Sequence, residues 1–428
     1  MNTRIPSLLV IVGAVALFGV TTTAPIHAQS VIPAGKRVVD GSKPVKSKKR
    51  GLCLNKASAA DFMAIAPSVS WFYTWHYNVT MDVPKEAQVE FIPMAWGTQK
   101  ETLPGLKDYL SKNKPSMVLA INEPNLKGQA FITPEETAKL FKQIKAVAGD
   151  IPVVGPNMSL GSPDGSSIKA MDPIEHKEIT YTFQTPFLKA FFSFLGNASG
   201  VAGIGSHSYG NIGELKWMVG DMIKTFKKPV YITEFADWHN KEGATGERKY
   251  LIEAVDFMER NPDVGGYAWF KERVKDNAKI SILSPQPGKL TPLGEAYVNM
   301  PVHDPDVYYQ VPGKFQAESF VTVQGADMDE TTDTDGFLEM QLMSPSDSLD
   351  YNISVDQAGP LTVSLRFSAK QAAKFDILSG DKVLGSVEAN GTGWQTGTAK
   401  IELPAGMQTI RIKASSAVRF NWAELARG

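Results

Sequence analysis

The sequence predicts an α/β protein, a (β/α)8 TIM barrel followed by a small all-β jelly-roll sandwich. Eight short apolar runs occupy positions 50–270 with amphipathic stretches between them, and several of these runs end in polar side chains. Beyond position 313 the helical periodicity gives way to short alternating runs. Runs that are apolar on both faces are typical of parallel strands covered by helices, and eight strand–helix units in about 250 residues match a barrel. A doubly wound open sheet is the competing fold, but no G-x-G-x-x-G motif opens a helix here.

The N-terminal segment is predicted to be a signal peptide over residues 1–28. Arg4 precedes an apolar run, Leu8–Val20, and the small residue Ala28 offers a cleavage point. The run is too short to cross a membrane comfortably, although an uncleaved anchor is the alternative. We therefore expect a secreted or periplasmic protein that does not remain in the membrane in its mature form. The Lys-rich residues 29–49 are interpreted as a basic, solvated linker.

The eight apolar runs are the predicted barrel strands, and the barrel is assigned to residues 50–301. Proline starts and capping residues between the runs, such as Thr133–Glu136, predict the intervening helices. In chain order the strand candidates are Arg50–Leu54, Val69–Trp75, Val89–Trp96, Met117–Pro124, Ile151–Asn157, Val201–Tyr209, Pro229–Ala236 and Val264–Phe270.

Composition narrows the possible substrates and cofactors. The 428 residues carry 44 Lys+Arg against 45 Asp+Glu, a formal charge of -1, which argues against nucleic acid and favours a neutral substrate. The single cysteine, Cys53, excludes a disulfide framework and a thiolate metal site, and is interpreted as a small buried residue. A triad of His76, His207 and His239 lacks metal-ligand spacing, so no metal is expected in the barrel.

Polar and aromatic side chains follow the predicted strands at the edge where barrel enzymes place their chemistry. Glu123 and Glu234 end strands four and seven, and two such carboxyls roughly 5–5.5 Å apart can hydrolyse a glycoside with retention. One attacks the anomeric carbon, and the other must hold a proton for the leaving oxygen. Asn122 is a candidate to hold the sugar 2-hydroxyl, and His207 and Tyr209 are candidates to donate hydrogen bonds to the nucleophile.

The tryptophans divide into sugar platforms and core residues. Indole faces match the apolar C–H face of a pyranose, although core packing is the commoner use of these rings. Those at strand ends and in the loop after Glu234 are predicted to contact sugar, which are Trp75, Trp96, Trp238 and Trp269. Trp71 and Trp217 are predicted to be core residues.

These motifs, in this order, resemble glycoside hydrolase family 128. The segments that carry the resemblance are SWFYTWHYN, EFIPMAWG, AINEPN, SHSYG, YITEFADW and YAWF, over about residues 50–300. The resemblance implies a retaining endo-β-1,3-glucanase on a (β/α)8 barrel, with Glu123 as acid/base and Glu234 as nucleophile. Thr74 and Asn125 depart from the family's usual aromatic and Asn-Glu-Pro-Asp motifs.

A second domain is predicted over residues 314–428, after a linker at 302–313. Alternating runs with Gly and Pro turns predict a β-sandwich, and FQAESF, GTGWQTGTAKIELPAGMQTIRI and FNWAEL resemble a family 6 carbohydrate-binding module. The resemblance implies that Trp394 stacks on sugar, with Leu342 in place of the opposing tyrosine and Arg419 in the closing motif. It also allows a structural calcium near Glu318. A module that only spaces or stabilises the barrel is the alternative.

The residues favour a monomeric hydrolase of a neutral polysaccharide, and the resemblance implies that this polysaccharide is a β-1,3-glucan. No cofactor is expected, although the resemblance of the second domain allows a structural calcium. Two alternatives remain open at this stage. One is another clan A β-glycan hydrolase resembling a cellulase, mannanase or xylanase, which would use the same barrel chemistry. The other is a catalytically silent glycan-binding protein of the cell wall, against which the retention of both Glu123 and Glu234 argues.

Overall fold

A computed structural model describes residues 33–163, 165–239, 241, 243–389 and 391–428. The predicted signal peptide, residues 1–28, lies outside the described residues. Within the described ranges, no helix combines the length and apolar character needed to cross a bilayer. The first strand, β1, covers Arg37–Val39 and belongs to the C-terminal part of the fold.

The N-terminal two thirds form a nine-stranded parallel sheet surrounded by helices. All eight predicted runs contain strands of this sheet, and the third run is divided into two short ones. The sheet strands are β2 (Arg50–Cys53), β3 (Trp71–Tyr73), β4 (Glu90–Phe91), β5 (Met94–Ala95), β6 (Val118–Ala120), β7 (Val153–Ser159), β10 (Gly203–Ser208), β11 (Val230–Phe235) and β12 (Val264–Trp269). A hairpin of β8 (Ile168–Met171) and β9 (Glu178–Tyr181) follows β7.

Seven α-helices are described around this sheet. Side chains cap several of their N-termini, as at Thr133, where Thr133 and Glu136 form a reciprocal capping box before a proline at the first helical position. The helices are α1 (Ala59–Ile65), α2 (Thr102–Lys112), α3 (Pro134–Ala148), α4 (Gln184–Leu195), α5 (Ile212–Phe226), α6 (Ala244–Arg260) and α7 (Pro292–Asn299).

Apolar side chains fill both faces of the parallel sheet. The large outer cluster lies between strands and helices and includes Phe141, Phe191 and Leu251. A smaller cluster, with Trp71, Tyr73 and Leu119, lies on the inner face. Burial on both faces explains why the strands read as continuous apolar runs and why the polar residues collect at strand ends.

The C-terminal part is all-β and contains two sheets around a separate apolar core. One sheet has the order β1-β13-β18-β23-β20-β21, and the other has the order β16-β17-β24-β19-β22. Their strands are β13 (Val307–Val311), β14 (Gly313–Gln316), β15 (Thr322–Gln324), β16 (Asp327–Glu330), β17 (Leu338–Leu342), β18 (Ser348–Val355), β19 (Gly359–Ala369), β20 (Ala373–Ser379), β21 (Lys382–Ala389), β22 (Trp394–Leu403), β23 (Gly406–Ala414) and β24 (Val418–Ala426).

The two segments interpreted as linkers contain strands instead. β1 lies within residues 29–49 and pairs in parallel with β13, which lies within residues 302–313. The basic side chains of the first segment find partners, since Arg37 pairs with Asp304 at 3.0 Å and Lys36 with Asp306 at 2.9 Å. Lys49 donates to three carbonyls at the C-terminal end of α6, where a cation is favoured. The segment is a strap that fastens the two parts of the molecule together.

Candidate active site

A cavity of about 640 Å³ lies at the carboxyl edge of the parallel sheet. Six of the predicted site residues line it, namely Trp75, Trp96, Asn122, Glu123, Tyr209 and Glu234. The loops after strands β3, β5, β6 and β10 deliver the first five, and Glu234 lies near the carboxyl end of β11. They meet because parallel strands all end at the same edge of a sheet. Asn122 donates from its side-chain amide to Gln129 at 3.1 Å, while its buried Oδ1 has no partner among the described residues.

Glu234 is surrounded by hydrogen-bond donors. The Tyr209 hydroxyl donates to Oε2, and Oε1 accepts from the Trp75 indole at 2.7 Å. The Tyr73 hydroxyl shares its one proton between Oε1 at 3.1 Å and the Thr233 carbonyl at 3.0 Å. Burial, together with the nearby Glu234 charge, raises the pKa of Tyr209 well above its usual value, so its hydroxyl remains a donor. Three donors aimed at two oxygens suit an ionised carboxylate, which only accepts hydrogen bonds.

Glu123 is held by an unusual backbone path. Ile121, Glu123 and Trp75 have φ values of 60°, 42° and 57°, in the left-handed region that residues other than glycine seldom adopt. The Glu123 amide donates to the Asn157 carbonyl at 2.7 Å, which ties the loop to β7. Backbone strain of this kind collects at functional sites, and here Trp75 and Glu123 line the cavity, while Ile121 is buried two residues before Glu123.

His207 connects the two carboxylates. Its Nδ1 lies 2.9 Å from Glu123 Oε1 and 3.4 Å from Glu234 Oε2. These two oxygens are therefore separated by at most the sum of those distances, about 6.3 Å. Burial opposes a charge on the ring, but the Glu234 and Glu123 charges and the Glu123 hydrogen bond raise the pKa of His207 overall. The structure thus places His207 nearer to Glu123 than to Glu234, the partner that the sequence predicted.

We expect Tyr209→Phe to lower kcat about 10- to 100-fold, because a hydrogen bond to a charged group contributes roughly 1.5–3 kcal/mol. KM should change less than kcat if the hydroxyl positions the Glu234 carboxylate rather than binding sugar. Steady-state kinetics over a range of pH measures both, with Tyr109→Phe on α2 as a matched control distant from the cavity. A Tyr209→Phe enzyme with wild-type kcat contradicts this role.

Three of the tryptophan assignments require correction or refinement. Trp269 is fully buried and donates its indole N–H to the Ile280 carbonyl at 2.7 Å, so it is no sugar platform. Side chains alternate along a strand, and the next residue, Phe270, lines the cavity instead. Trp238 packs edge-on against Tyr209 with ring centroids 6.1 Å apart and supports the wall from behind. Trp217, predicted to be core, is 52% exposed, whereas Trp71 is buried as predicted.

Several residues of the cavity were not identified from the sequence. They are Asn55, Gln129, Phe270 and Lys271, together with Tyr73 beneath Glu234. Lys271 Nζ lies 5.6 Å from the Trp75 ring centroid. The sequence signal for Phe270 and Lys271 was their position at the end of predicted strand eight, as its last residue and the next one. The signal for Tyr73 was its position two residues before Trp75.

A parallel sheet that presents two glutamates at its carboxyl edge, one held by three donors and both contacted by one histidine, defines a glycoside hydrolase. The sequence-based prediction of that class is confirmed by comparison with known families. The chain belongs to the family described as the glycosyl hydrolase catalytic core, whose model matches residues 51–297. A second model, the carbohydrate binding module of family 6, matches residues 316–427.

Solved structures of family 128 glucanases are similar to the N-terminal part. A subgroup II endo-β-1,3-glucanase from Pseudomonas viridiflava is 29% identical, with a TM-score of 0.51, and the match covers 60% of this chain and 100% of that one. A subgroup II endo-β-1,3-glucanase from Sorangium cellulosum is 28% identical, with a TM-score of 0.51 and the same coverage. No curated protein matches the chain.

Proposed function

We propose that the protein is an endo-β-1,3-glucanase that hydrolyses β-1,3-glucan with retention of configuration. The observation that carries this proposal is the pair Glu123 and Glu234, both within reach of His207 Nδ1. The bound of about 6.3 Å between one oxygen of each carboxylate is compatible with the separation of roughly 5–5.5 Å between the carboxyl groups of retaining enzymes. The β-1,3 linkage and the endo mode are proposed from the two subgroup II glucanases that resemble the N-terminal part.

In the first step, a Glu234 oxygen bonds to the anomeric carbon while the glycosidic C–O bond breaks and Glu123 protonates the leaving oxygen. The product is a glycosyl ester on Glu234 and a free chain end. In the second step, water gives a proton to Glu123 and attacks the same carbon, which breaks the ester and restores both carboxyls. Asn122 supports the sugar 2-hydroxyl, and Trp75 and Trp96 bind the sugar faces that border the reacting bond.

The decisive experiment is reducing-end release from linear β-1,3-glucan, mixed-linkage glucan, cellulose, mannan and xylan. Cleavage of β-1,3-glucan into a ladder of oligosaccharides, with the β-anomer as first product by NMR, supports the proposal. Preference for another of these glycans assigns a different clan A hydrolase. Tight glycan binding without any cleavage identifies a silent binding protein and overturns the proposal.

For the fold, we propose that the parallel sheet closes into a (β/α)8 barrel and that the C-terminal part is a jelly roll. Only Ile92 and Pro93 separate β4 from β5, the two edges of the sheet. The Ile92 amide donates to Phe72 on one side, and the Pro93 carbonyl accepts from Leu119 on the other. Hydrogen bonds from this one segment to β3 on one side and to β6 on the other support the proposal that the sheet closes.

We also propose a catalytic domain over residues 50–301 and a module over residues 314–428, joined by residues 302–313 and by the strap at 29–49. Residues 1–28 are proposed as a cleaved signal peptide of a secreted or periplasmic protein that acts as a monomer. N-terminal sequencing of the exported protein and its sedimentation in solution test these two statements.

The proposed sugar platform of the module is partly covered. The Arg419 guanidinium lies 5.3 Å from the Trp394 ring centroid, and the fully buried Glu339 accepts two hydrogen bonds from it. Thr332 accepts from both the arginine and the Trp394 indole N–H. Leu342, which the resemblance places where the module family has the tyrosine opposite Trp394, is buried in the core. A sugar would have to share or displace the arginine, so we propose weak binding at Trp394.

Trp394→Ala is accordingly expected to weaken adsorption of the whole protein to insoluble β-1,3-glucan by about fivefold or less, since one ring contact contributes on the order of 1 kcal/mol. Depletion isotherms measure the change, and Trp422→Phe serves as a control within the same module. A loss of two orders of magnitude would show that Trp394 is a dominant binding site and that Arg419 leaves its face free.

The calcium proposed near Glu318 is compatible with the side chains present. Glu318 Oε2, Gln316 Oε1 and Asn421 Oδ1 are buried without a partner among the described residues. Burial raises the pKa of Glu318 to about 8. A Cβ at Gly336 would approach Asn421 Oδ1 to 2.7 Å and Gln316 Oε1 to 3.2 Å, so these two amide oxygens lie together, and Gln316, Glu318 and Gly336 line one cavity. Within the described ranges no three His, Cys, Asp or Glu side chains form a metal group, and the oxygens of two amides and one carboxyl suit a hard cation.

Millimolar calcium is therefore expected to raise the melting temperature of the protein by about 2–5 °C, and a chelator should reverse the shift. The cation would neutralise a carboxyl that burial otherwise disfavours in its charged form. Differential scanning calorimetry tests the effect with Glu318→Gln, and the exposed Glu402→Gln is the matched control. A calcium shift that persists unchanged in Glu318→Gln assigns the ion to another place.

A further inference from the structure

Two aromatic rings form an exposed pair on the outer surface of the catalytic domain. Trp217 is 52% exposed and Phe183 is 37% exposed, and their ring centroids are 5.7 Å apart at an angle of 62°. Trp217 lies in the second turn of α5, and Phe183 immediately precedes α4. The Thr185 hydroxyl donates to Asp221 at 2.6 Å, which fixes the two helices, and therefore the two rings, against each other.

The pair adjoins the catalytic cavity. Phe183 forms an isolated antiparallel bridge with Gly161, and the flanking amides of Ser162 and Gln184 donate across it at 3.0 and 3.1 Å. Gly161 itself lines the cavity. Paired strand segments lie about 4.8 Å apart, so the backbone of Phe183 is one strand spacing behind the cavity wall.

The Phe183 ring lies close to Gly161 itself. A Cβ on Gly161 would lie 3.5 Å from two ring atoms of Phe183, so the ring is in van der Waals reach of a residue of the cavity wall. A single exposed apolar residue needs no explanation. Here two rings are in contact, a hydrogen bond joins their helices, and one of them lies beside Gly161, a residue of the cavity wall.

We propose that Phe183 and Trp217 form an additional sugar-binding site for a β-glucan chain that extends beyond the catalytic cavity. This inference rests on the proposed glucanase function. Aromatic faces pack against the C–H faces of glucose residues, and the Trp217 indole N–H, which makes no hydrogen bond with the described residues, can donate to a sugar hydroxyl. The site recognises chain length, because only a substrate long enough to leave the cavity reaches both rings.

The test compares long soluble β-1,3-glucan with short β-1,3-linked oligosaccharides as substrates of the whole protein. Trp217→Ala should lower kcat/KM for the polymer roughly fivefold, by raising KM. The double variant Phe183→Ala/Trp217→Ala should lower it roughly 5- to 20-fold. Turnover of the short substrates should stay within twofold of wild type. Met63→Ala, another exposed apolar residue on α1, is the matched control, and Trp217→Phe should retain most of the polymer activity because it keeps a ring.

The outcomes separate this inference from the function it rests on. If wild-type protein does not cleave any β-1,3-glucan, the proposed function fails. If wild type cleaves both substrates and the double variant matches it on the polymer, the additional site is refuted. An equal loss on long and short substrates also refutes the additional site, since it indicates damage to the cavity. A change in the sedimentation of the double variant refutes it as well, since the two rings would then form a contact between subunits.

Discussion

Glu234→Gln is expected to reduce kcat on β-1,3-glucan by at least about 10⁴-fold, because an amide cannot form the ester intermediate and removal of a covalent nucleophile has effects of this order. Substrate binding should be retained, since Trp75 and Trp96 still line the cavity. The substitution keeps the size of the side chain, and its carbonyl oxygen can still accept from Trp75 and Tyr73. Unfolding temperature should therefore remain close to wild type.

A matched control for this variant lies three residues after β12. Glu272 is also buried, and its Oε1 accepts from the amides of Asn55 and Lys56, contacts that a glutamine can keep. Glu272→Gln is expected to retain activity within about tenfold of wild type. Comparable activity in both variants, measured by reducing-end release, would exclude Glu234 as the nucleophile.

The parallel strands and the two glutamates could be predicted from the sequence for the same physical reason. A strand buried on both faces must be apolar throughout, so an acid at its end, such as Glu123 or Glu234, stands out as a residue that has to lie at the edge. Neither residue's neighbours in the chain reveal the bridging position of His207. That contact joins β10 to the ends of two other strands and depends on the sheet's curvature.

The exposure of Trp217 follows from the helical spacing of the apolar residues in α5. The buried residues of α5 are Leu215, Met218, Val219 and Met222, a stripe with helical spacing. Trp217 falls outside that stripe and had to face outward. The prediction that Trp269 contacts sugar was wrong because the sequence contained no signal for its orientation. Side chains alternate along a strand, and in a continuous apolar run a shift of one residue decides which of two neighbours faces the cavity.

Strand β1 in the strap could not be predicted from the local sequence at all. Arg37 pairs in register with Val307, and a three-residue strand among lysines has no apolar pattern of its own. Its stability comes from the partner strand and from ion pairs such as Arg37 with Asp304, all of them distant in the chain. Local composition indicates a solvated segment, and only the assembled fold supplies the edge that it completes.

Glu123→Ala is expected to give the second largest effect, a loss of roughly 10²–10⁴-fold on glucan, the range for general acid–base catalysis. The loss should depend on the leaving group. With an aryl β-glycoside of a β-1,3-linked oligosaccharide, the phenolate leaves without protonation. Glu123→Ala should therefore form the glycosyl ester from this substrate at nearly the wild-type rate. The ester should then accumulate, because water no longer has a base to activate it.

Azide distinguishes the roles of the two carboxylates, because it is a nucleophile that needs no general base. In Glu123→Ala it should attack the accumulated ester and restore turnover with a β-glycosyl azide as product. In Glu234→Ala it can only replace the missing carboxylate directly, which gives the α-glycosyl azide. NMR of the products distinguishes the two anomers, and the opposite pairing of variant and anomer would exchange the roles of Glu123 and Glu234. His207 contacts both carboxylates, so the roles are assigned by the donors around Glu234 and by this pair of products.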